Sequence, residues 1–535
     1  MVFLVDSRSV FVRMLGAGLL GSALLPALLV VFVLSPAAQS ADDIPLLQRG
    51  QALFASQCSI CHGETGHGDG AAAYLLSPRP RNFASATFRL VSTDDGIPSD
   101  EDLLTTLRQG MPGSAMPPWG HLGDEDLMAL VVTVRDLMIQ GKLDELLTDE
   151  PDLDRAVALE EVLDEFGTPG ELADLPQRPP EERIDLAHGE ELYTKNCAHC
   201  HGHDGRGEVP QAMFDGEGWP ITARDFTVGV FKGGSRGVDI ARRIWLGMPG
   251  SPMPATPYRQ DDLWSLVDYV QGMIKPGAQD QVVQSPKIFT AHRVAGTLGD
   301  DPDAAAWASA DATWLALMPL WWRNDRVEGV SVQALHDGRT LALRVSWDDA
   351  TKDDELIHQR DFGDALALEL SIDTDPPFFG MGASRNPVSI WQWKAGWQRD
   401  LSDRLTLADA FPNKPRGQLA QQGAPQDPVF MTATAAGNPL SQQDHPLAVE
   451  NLSATGHGTL RSLPIVDVAA TGFGEWNDRR WSIVLLRDMW KPAPDGVLPE
   501  PGASLSAAFA VWDGSAGDRN GSKSVTIWHK LVLED

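Results

Sequence analysis

Cysteine is scarce in this chain of 535 residues, which has only 4, and all of them lie in two copies of the pattern CxxCH. None remains to form a disulfide. The chain also lacks the further thiolates with which a protein usually binds an iron–sulfur cluster of its own. Basic residues are few as well, because 43 Lys and Arg stand against 74 Asp and Glu and the formal net charge is −31. This charge makes phosphate backbones and anionic membrane surfaces poor partners, so nucleic acid is excluded.

A long apolar run is absent from the sequence except near its N-terminus. There, two arginines precede an apolar run over residues 14–34, and small residues follow it at 37–41. This pattern is typical of an export signal and predicts a leader over residues 1–41, with the mature protein in the periplasm. The run is long enough to act as an uncleaved membrane anchor instead, although Pro26 and the small residues favour cleavage.

Two copies of one unit follow the leader. Their CxxCH residues are Cys58, Cys61 and His62 in the first repeat and Cys197, Cys200 and His201 in the second. Both copies continue as HGxxGxG, and an Arg-Asn-Phe or Arg-Asp-Phe triplet follows at residues 81–83 and 224–226. The segments 110–117 and 247–254 then match almost residue for residue, as GMPGSAMP and GMPGSPMP. Each copy ends in an amphipathic helical pattern.

The CxxCH pattern is typical of covalent haem attachment. Its thiols form thioether links to the two vinyl groups of the porphyrin, and its imidazole reaches the iron. The sixth iron ligand must come from elsewhere in the chain, and a Met thioether there favours reduced iron. We expect Met116 and Met253, which follow the first Cys of their motifs by 58 and 56 residues. Met111 and Met248 also repeat, five residues earlier in each loop. For either pair of methionines, simple packing in the core is the alternative interpretation.

The order of helix, CxxCH, glycine loop, Met-Pro and terminal helix resembles class I cytochromes c. The resemblance covers about residues 44–140 and 186–275. It implies two all-α cytochrome c domains, at 42–142 and 186–276, each with one covalent haem c. It also favours the later methionine of each loop, because the Met-Pro step before the terminal helix belongs to the family pattern.

Other interpretations of the cysteines and histidines are weaker. A zinc half-site or a redox dithiol is disfavoured, because CxxCH occurs twice in an exported chain with no other cysteine. Four further histidines have no counterpart in the other repeat and are expected to be solvated at the surface: His67, His121, His199 and His203.

The sequence changes character after the first repeat and again after the second. Residues 143–185 are rich in Asp, Glu, Leu and Pro, which predicts an acidic linker or a strap across the second repeat. From about residue 284 apolar residues alternate with polar ones, as in β-strands that bury one face. Strands are predicted at 330–336, 341–347, 366–372, 388–393, 481–487, 506–512 and 525–533.

These strands predict an all-β sandwich domain over residues 284–535. The predicted fold class is therefore multidomain, with two all-α cytochrome c domains followed by an all-β sandwich. Of the 17 Trp, 13 fall in the third domain, where they fit wide pockets between sheets or an ordinary core.

Several short motifs of the third domain carry a second resemblance. They are Trp347-Asp348-Asp349, Gly363-Asp364-Ala365-Leu366, Phe379-Gly380-Met381-Gly382, Val388-Ser389-Ile390-Trp391-Gln392-Trp393, Ala510-Val511-Trp512-Asp513-Gly514 and Arg519-Asn520-Gly521-Ser522-Lys523. They resemble the haem-binding domain of ethylbenzene dehydrogenase gamma subunits, over most of residues 285–535. Related gamma subunits serve dimethylsulfide dehydrogenase, selenate reductase and chlorate reductase.

The resemblance implies a third iron site. In that family a b-type haem is held non-covalently between a Met and a Lys, and the matching positions are Met381 and Lys523. Lys394 is the alternative amine. A lysine ligand must be the neutral amine, so burial and the iron must together lower its pKa from about 10.4.

Together the resemblances imply a periplasmic electron-transfer subunit rather than an enzyme. Its partners would be a molybdopterin catalytic subunit, an iron–sulfur subunit, and a soluble cytochrome or a quinone-linked redox protein. Any contact with the membrane would run through the N-terminal segment. One alternative is a dihaem cytochrome c dehydrogenase that acts on a small sulfur compound. Another is a dihaem cytochrome whose β-sandwich is a haem-free docking module, and a third is the gamma subunit of a nitrite-oxidising complex.

Overall fold

A computed structural model describes residues 45–358, 360–373, 381–383, 386–403, 412–413, 445–464, 470–491 and 496–535. The predicted leader over residues 1–41 lies outside the described residues. Among the residues that are described, no helix combines the length and the apolar character needed to cross a bilayer.

Helices make up most of the regular structure before residue 283. They are α1 (Leu46–Gln57), α2 (Ser59–His62), α3 (Asp100–Gln109), α4 (Asp124–Asp149), α5 (Arg155–Phe166), α6 (Leu186–Asn196), α7 (Ala198–His201), α8 (Gly237–Leu246), α9 (Gln260–Gly272) and α10 (Gln279–Val282). A short antiparallel ladder of β1 (Met213–Phe214) and β2 (Pro220–Ile221) lies between α7 and α8. Helices α6 to α9 of the second repeat correspond to α1 to α4 of the first.

The first and last helices of each repeat cross at a glycine. A Cβ atom on Gly50 would collide with the backbone carbonyl oxygen of Ala129, and one on Gly189 with that of Ser265. Only glycine allows two helix backbones to approach this closely. The crossing buries the apolar side of the terminal helix, as seen for Leu130, which is 1% exposed. The repeated glycine and the amphipathic pattern thus fix the same core in both repeats.

The predicted linker, residues 143–185, packs against both repeats. Helix α5 places Ala158 and Val162 in the apolar core of the first repeat. Further on, the indole Nε1 of Trp264, in the second repeat, donates a hydrogen bond to the carbonyl oxygen of Pro176 at 2.9 Å. The segment therefore packs on the first repeat and then straps across the second.

Strands dominate the described residues from 288 onward. They are β3 (Ile288–Arg293), β4 (Thr313–Ala316), β5 (Met318–Pro319), β6 (Gly329–His336), β7 (Thr340–Asp348), β8 (Ala365–Ser371), β9 (Val388–Lys394), β10 (Val449–Ala454), β11 (Arg461–Ser462), β12 (Ala470–Asn477), β13 (Arg480–Asp488), β14 (Ser504–Trp512), β15 (Ser524–Val525) and β16 (His529–Leu533), with helix α11 (Ala395–Asp400) after β9. Every predicted strand is present, although the one predicted over 525–533 is divided between β15 and β16.

Hydrogen bonds join these strands into one continuous sheet. Its order is β11-β10-β9-β8-β14-β16-β3-β6-β7-β13-β12, with β4, β5 and β15 to the side. The two halves of the sheet face each other, because Trp393 on β9 and Trp481 on β13 meet edge to face with ring centroids 4.9 Å apart. These two side chains and those of Trp347 and Trp391 are buried in the core between the halves. The central tryptophans are therefore explained by ordinary core packing.

Candidate functional site

Cavity 1 lies in the first repeat. Its lining includes the predicted haem residues Cys58, Cys61 and His62, and both methionines of the loop between α3 and α4, Met111 and Met116. The sequence separates these two groups by about fifty residues, and the fold brings them to one cavity. Two thiols, an imidazole and a thioether are the donors that a covalently attached, six-coordinate haem requires, so the lining fits this group.

His62 is oriented as an iron ligand would be. Its Nδ1 lies 3.0 Å from the backbone carbonyl oxygen of Arg81, and its ring stacks on Phe83 with centroids 4.5 Å apart. An Nδ1–H that donates to this carbonyl leaves Nε2 with the free lone pair. Burial lowers the pKa of His62 to about 4, so its imidazole is neutral, which is the form that binds metal.

Cavity 2 lies in the second repeat and has an equivalent lining. Its lining includes Cys197, Cys200, His201, Met248 and Met253. The ring of His201 stacks on Phe226 with centroids 4.4 Å apart, and burial lowers its pKa to about 4. Phe226 closes the Arg-Asp-Phe triplet and occupies the place that Phe83 has in the first repeat, so the repeated triplet supports the histidine in both cavities.

The methionine loops of the two repeats share one set of hydrogen bonds. In the first, the backbone N–H of Met111 donates to the carbonyl oxygen of Met116 at 3.1 Å. Ser114 Oγ donates to the carbonyl oxygen of Met111 at 2.7 Å and accepts from the N–H of Met116 at 3.3 Å. Ser251 makes the same two bonds at 2.7 Å and 3.3 Å in the second repeat. Each loop thus holds two methionines beside its cavity.

Three of the four CxxCH thiols are not activated by their surroundings. Burial raises the pKa of Cys58 and that of Cys61 to about 12, and the pKa of Cys197 to about 11. A redox dithiol relies on a thiolate whose pKa is lowered by its surroundings. The local environment therefore disfavours that alternative.

The other histidines of the two repeats lie at the surface. All four that were expected to be solvated are exposed, namely His67, His121, His199 and His203. This part of the sequence analysis is confirmed.

The third predicted pair, Met381 and Lys523, lies on the outer face of the sheet. An apolar cluster covers this face, and we call it the outer cluster: Met318, Ala365, Ala367, Val388, Ile390, Leu452, Ala454, Ala510, Trp512 and Val525. Met381 packs against the cluster, and Lys523 Nζ lies 4.9 Å from the centre of the Trp512 ring. Two residues of the motif around Met381, Phe379 and Gly380, lie outside the described residues.

Glu369 is a candidate site residue that the sequence analysis missed. It lies on β8, on the same face as Ala365 and Ala367, and accepts a hydrogen bond from the backbone N–H of Met381. Burial raises the pKa of Glu369 to about 8 and lowers the pKa of Lys523, while the charge of each partner opposes these shifts. Burial therefore favours a neutral amine, which is the form that binds iron. Glu369 Oε1 is buried and has no hydrogen-bond partner among the described residues.

The backbone at Met381 is held in an unusual conformation. Its φ angle is 91°, in the left-handed region that costs a residue other than glycine about 1–3 kcal/mol. Its carbonyl oxygen accepts a hydrogen bond from the N–H of Gly456 at 2.8 Å. Such strain persists only where the surrounding structure fixes it, and here the bonds to Glu369 and Gly456 hold the backbone of Met381.

Lys394, the alternative amine, is engaged elsewhere. Its Nζ pairs with the carboxylate of Glu450 and lies 4.0 Å from the centre of the Trp397 ring. In the sheet Lys394 pairs with Ala365, four residues along β8 from Glu369. At about 3.3 Å per residue this is a displacement of roughly 13 Å along the strand. The geometry favours Lys523 as the amine that accompanies Met381.

Three family models match parts of the chain. The model of cytochrome c oxidase, cbb3-type, subunit III matches residues 45–132, and the cytochrome c model matches residues 186–273. The model of ethylbenzene dehydrogenase matches residues 307–524. Each matched range falls in the part of the chain for which the motifs indicated the same resemblance.

Curated relatives match somewhat less than half of this chain. Identity is 26% over 234 residues to a protein described provisionally as respiratory nitrate reductase heme subunit ORF7 of Haloferax mediterranei, covering 43% of this chain and 66% of that protein. The chain is 25% identical over 268 residues to chlorate reductase subunit gamma of Ideonella dechloratans, and this match covers 48% of this chain and 88% of that protein. The chain is 24% identical over 242 residues to dimethylsulfide dehydrogenase subunit gamma of Rhodovulum sulfidophilum, and this match covers 43% of this chain and 72% of that protein. The first of these matches spans just under two thirds of the relative.

Proposed function

Because this chain joins two cytochrome c domains to an ethylbenzene dehydrogenase-type domain, we propose that it is a periplasmic electron-transfer subunit of a molybdopterin oxidoreductase complex. The domains extend over 42–142, 186–276 and 284–535, and residues 143–185 connect the first two. The observation that carries the proposal is the pair of cavities, each lined by a CxxCH motif and a methionine loop.

Each iron site has its own donor set. The two covalent haems c are attached through Cys58 and Cys61 and through Cys197 and Cys200, with His62 and Met116 or His201 and Met253 as the iron ligands. The haem b is held by Met381 and Lys523. A haem bound in any of these sites supplies one-electron redox chemistry.

The donor sets argue against catalysis by this chain. A haem iron that took a histidine and a methionine, or a methionine and a lysine, as protein ligands would have no coordination position left for a substrate. A catalytic metal site instead keeps an open position. The residues proposed here therefore exclude substrate from the iron and restrict the protein to carrying electrons.

The partners follow from the relatives. Chlorate reductase and dimethylsulfide dehydrogenase are complexes in which the related chain is named subunit gamma. By analogy, the third domain of this chain contacts an iron–sulfur subunit that is joined to the molybdopterin catalytic subunit. A soluble cytochrome or a quinone-linked protein is the partner at the other end.

Contacts between domains support an order for the three sites. The backbone N–H of Leu320 donates to the carbonyl oxygen of Lys523 at 2.9 Å, and the N–H of Ser77 donates to the carbonyl oxygen of Leu320 at 3.0 Å. The next residue, Pro78, lines cavity 1. Two backbone hydrogen bonds thus connect the Lys523 loop to the wall of cavity 1. We infer that the third site is adjacent to cavity 1.

Turnover assays on the isolated, haem-loaded chain test the proposed function. Dimethyl sulfide or thiosulfate with ferricyanide, and chlorate with reduced viologen, should give rates no higher than the buffer blank. The same preparation should be reduced by dithionite and reoxidised by ferricyanide, because its iron sites exchange electrons. Sustained turnover of any of these substrates without a partner subunit would contradict the proposal and favour the dehydrogenase alternative.

A further inference from the structure

Cations gather where the two cytochrome repeats contact each other, in a chain whose net charge is −31. Four of them are Arg81 and Arg89 of the first repeat and Arg224 and Lys232 of the second, and we call these four the junction cluster. Arg81 and Arg89 line cavity 1, whereas Arg89, Arg224 and Lys232 line cavity 2. Arg89 therefore borders both cavities.

The repeats contact each other reciprocally around this cluster. A Cβ atom on Gly113, in the methionine loop of the first repeat, would lie 3.3 Å from Nη1 of Arg224 in the second. A Cβ atom on Gly250, in the loop of the second repeat, would lie 3.3 Å from Nη1 of Arg81 in the first. Gly113 corresponds to Gly250 in the repeat, and Arg81 corresponds to Arg224. The two halves therefore present equivalent surfaces to each other, with the cavities on either side.

The cluster has fewer anionic partners than its cations require. Arg89 Nη2 pairs with Asp215 at 3.2 Å, and Arg81 Nη1 lies 4.0 Å from Glu217. The side chain of Arg89 is only 8% exposed. Its Nε, and Nη1 of Arg224, are buried without a hydrogen-bond partner among the described residues. Unpaired buried guanidinium donors of this kind are costly.

The surroundings of Lys232 agree with this deficit. Burial, together with the charges of Arg89, Arg224 and Arg81, lowers the pKa of Lys232 to about 7. Lys232 thus lies close to other cations, at the edge of a cavity that we assign to a haem.

We propose that the junction cluster binds the propionate carboxylates of the haems in both cavities, and that Arg89 lies between the two sets of propionates. This inference rests on the proposed function. The CxxCH thiols use the two vinyl groups of the porphyrin, so the propionates are the charged groups that remain on the macrocycle. Guanidinium groups bind carboxylates with paired, charge-assisted hydrogen bonds, and such bonds would satisfy the unpaired donors of Arg89 and Arg224.

A shared arginine also affects both iron sites electrostatically. A nearby cation disfavours the extra positive charge of oxidised iron and so raises the midpoint potential. Loss of Arg89 therefore lowers the potentials of both covalent haems. Loss of Lys232, which lines cavity 2 alone, lowers only one of them.

Spectroelectrochemical titration of the full-length protein tests this inference, after its covalent haem content has been counted. In Arg89→Gln both haem c potentials should fall, and in Lys232→Gln one should fall. Arg89→Lys, which keeps the charge, should shift them less than Arg89→Gln. Arg108→Gln is the matched control, because Arg108 pairs with Asp124 at the surface of the first repeat and lines neither cavity. The haem c potentials of Arg108→Gln should equal those of the wild type.

The outcomes separate this inference from the proposed function. Absence of covalent haem from the wild type would refute the proposed function itself. If the wild type carries two covalent haems but Arg89→Gln leaves both midpoint potentials unchanged, or shifts only one of them, the shared site is refuted. The proposed function then still stands. If the cluster instead holds free phosphate, the wild-type potentials will depend on phosphate at constant ionic strength and Arg89→Gln will lose that dependence, which also overturns the assignment to propionates.

Discussion

Replacing Met116 by Leu should lower the midpoint potential of the haem held in cavity 1 and open its iron to carbon monoxide. A Met thioether favours reduced iron, and leucine cannot replace it as a ligand. The fall should be a sizeable part of the roughly 0.8 V range over which axial ligands set haem potentials. Met253→Leu should have the same effect on the haem of cavity 2. Redox titration and carbon monoxide difference spectra measure both changes.

The neighbouring methionines supply the control for this experiment. Met111 and Met248 line the same cavities and belong to the same hydrogen-bonded loops. Met111→Leu and Met248→Leu change the packing by a similar amount but should leave the potentials near those of the wild type and the iron closed to carbon monoxide. The opposite pattern, with the large effects at 111 and 248, would assign the iron to the earlier methionine of each loop.

Replacing Lys523 by Ala should remove the extractable haem from the protein. A haem b has no thioether links, so two axial bonds and apolar contacts alone retain it. Haem released by acid-acetone should fall from about one per chain to nearly none, while the two covalent haems remain. Met381→Leu keeps the side-chain volume but removes the sulfur, and should also weaken retention of this haem.

Lys394→Ala is the matched control, since Lys394 is the other amine that the sequence offered. It pairs with Glu450 rather than with the Met381 site, so extractable haem should stay at the wild-type level. Circular dichroism of all three variants checks that the sheet is intact. Loss of haem in Lys394→Ala together with full retention in Lys523→Ala would reverse the assignment. A wild-type protein without extractable haem would instead favour the docking module.

Local sequence patterns predicted those parts of the sites that are formed by residues close together in the chain. CxxCH places two thiols and an imidazole on one short turn, and the repeat made the two copies recognisable at equivalent offsets. The strands were found from their alternation, because side chains point to opposite faces in turn. Gly50 and Gly189 were visible as repeated glycines, and the structure adds that they are the points at which two helices cross.

Residues that act through distant parts of the chain could not be predicted in the same way. Glu369 interrupts an alternation of Ala and Leu, which is also what a solvent-facing strand position looks like. Its role depends on Met381 and Lys523, which come from other segments of the fold. Arg89 likewise depends on the contact between the two repeats, across which it pairs with Asp215, 126 residues further along the chain.

The pairing of the strands could not be predicted from the alternation of apolar and polar residues. The alternation indicates which face of each strand is buried, but pairing between strands depends on long-range contacts. The predicted sandwich implied two separate sheets, whereas the hydrogen bonds continue from β8 through β14, β16 and β3 to β6. Met381 and Lys523 both lie on the outer face of this sheet, away from the tryptophan core.

The pyridine haemochrome assay of the purified, mature protein, before and after extraction with acid-acetone, tests the account most directly. We expect about three haems per chain, of which two resist extraction because thioether bonds hold them. The covalent pair should also stain as haem after denaturing electrophoresis. A colourless polypeptide, or one that keeps no haem through denaturation, would contradict the assignment of both CxxCH cavities and with it the role in electron transfer.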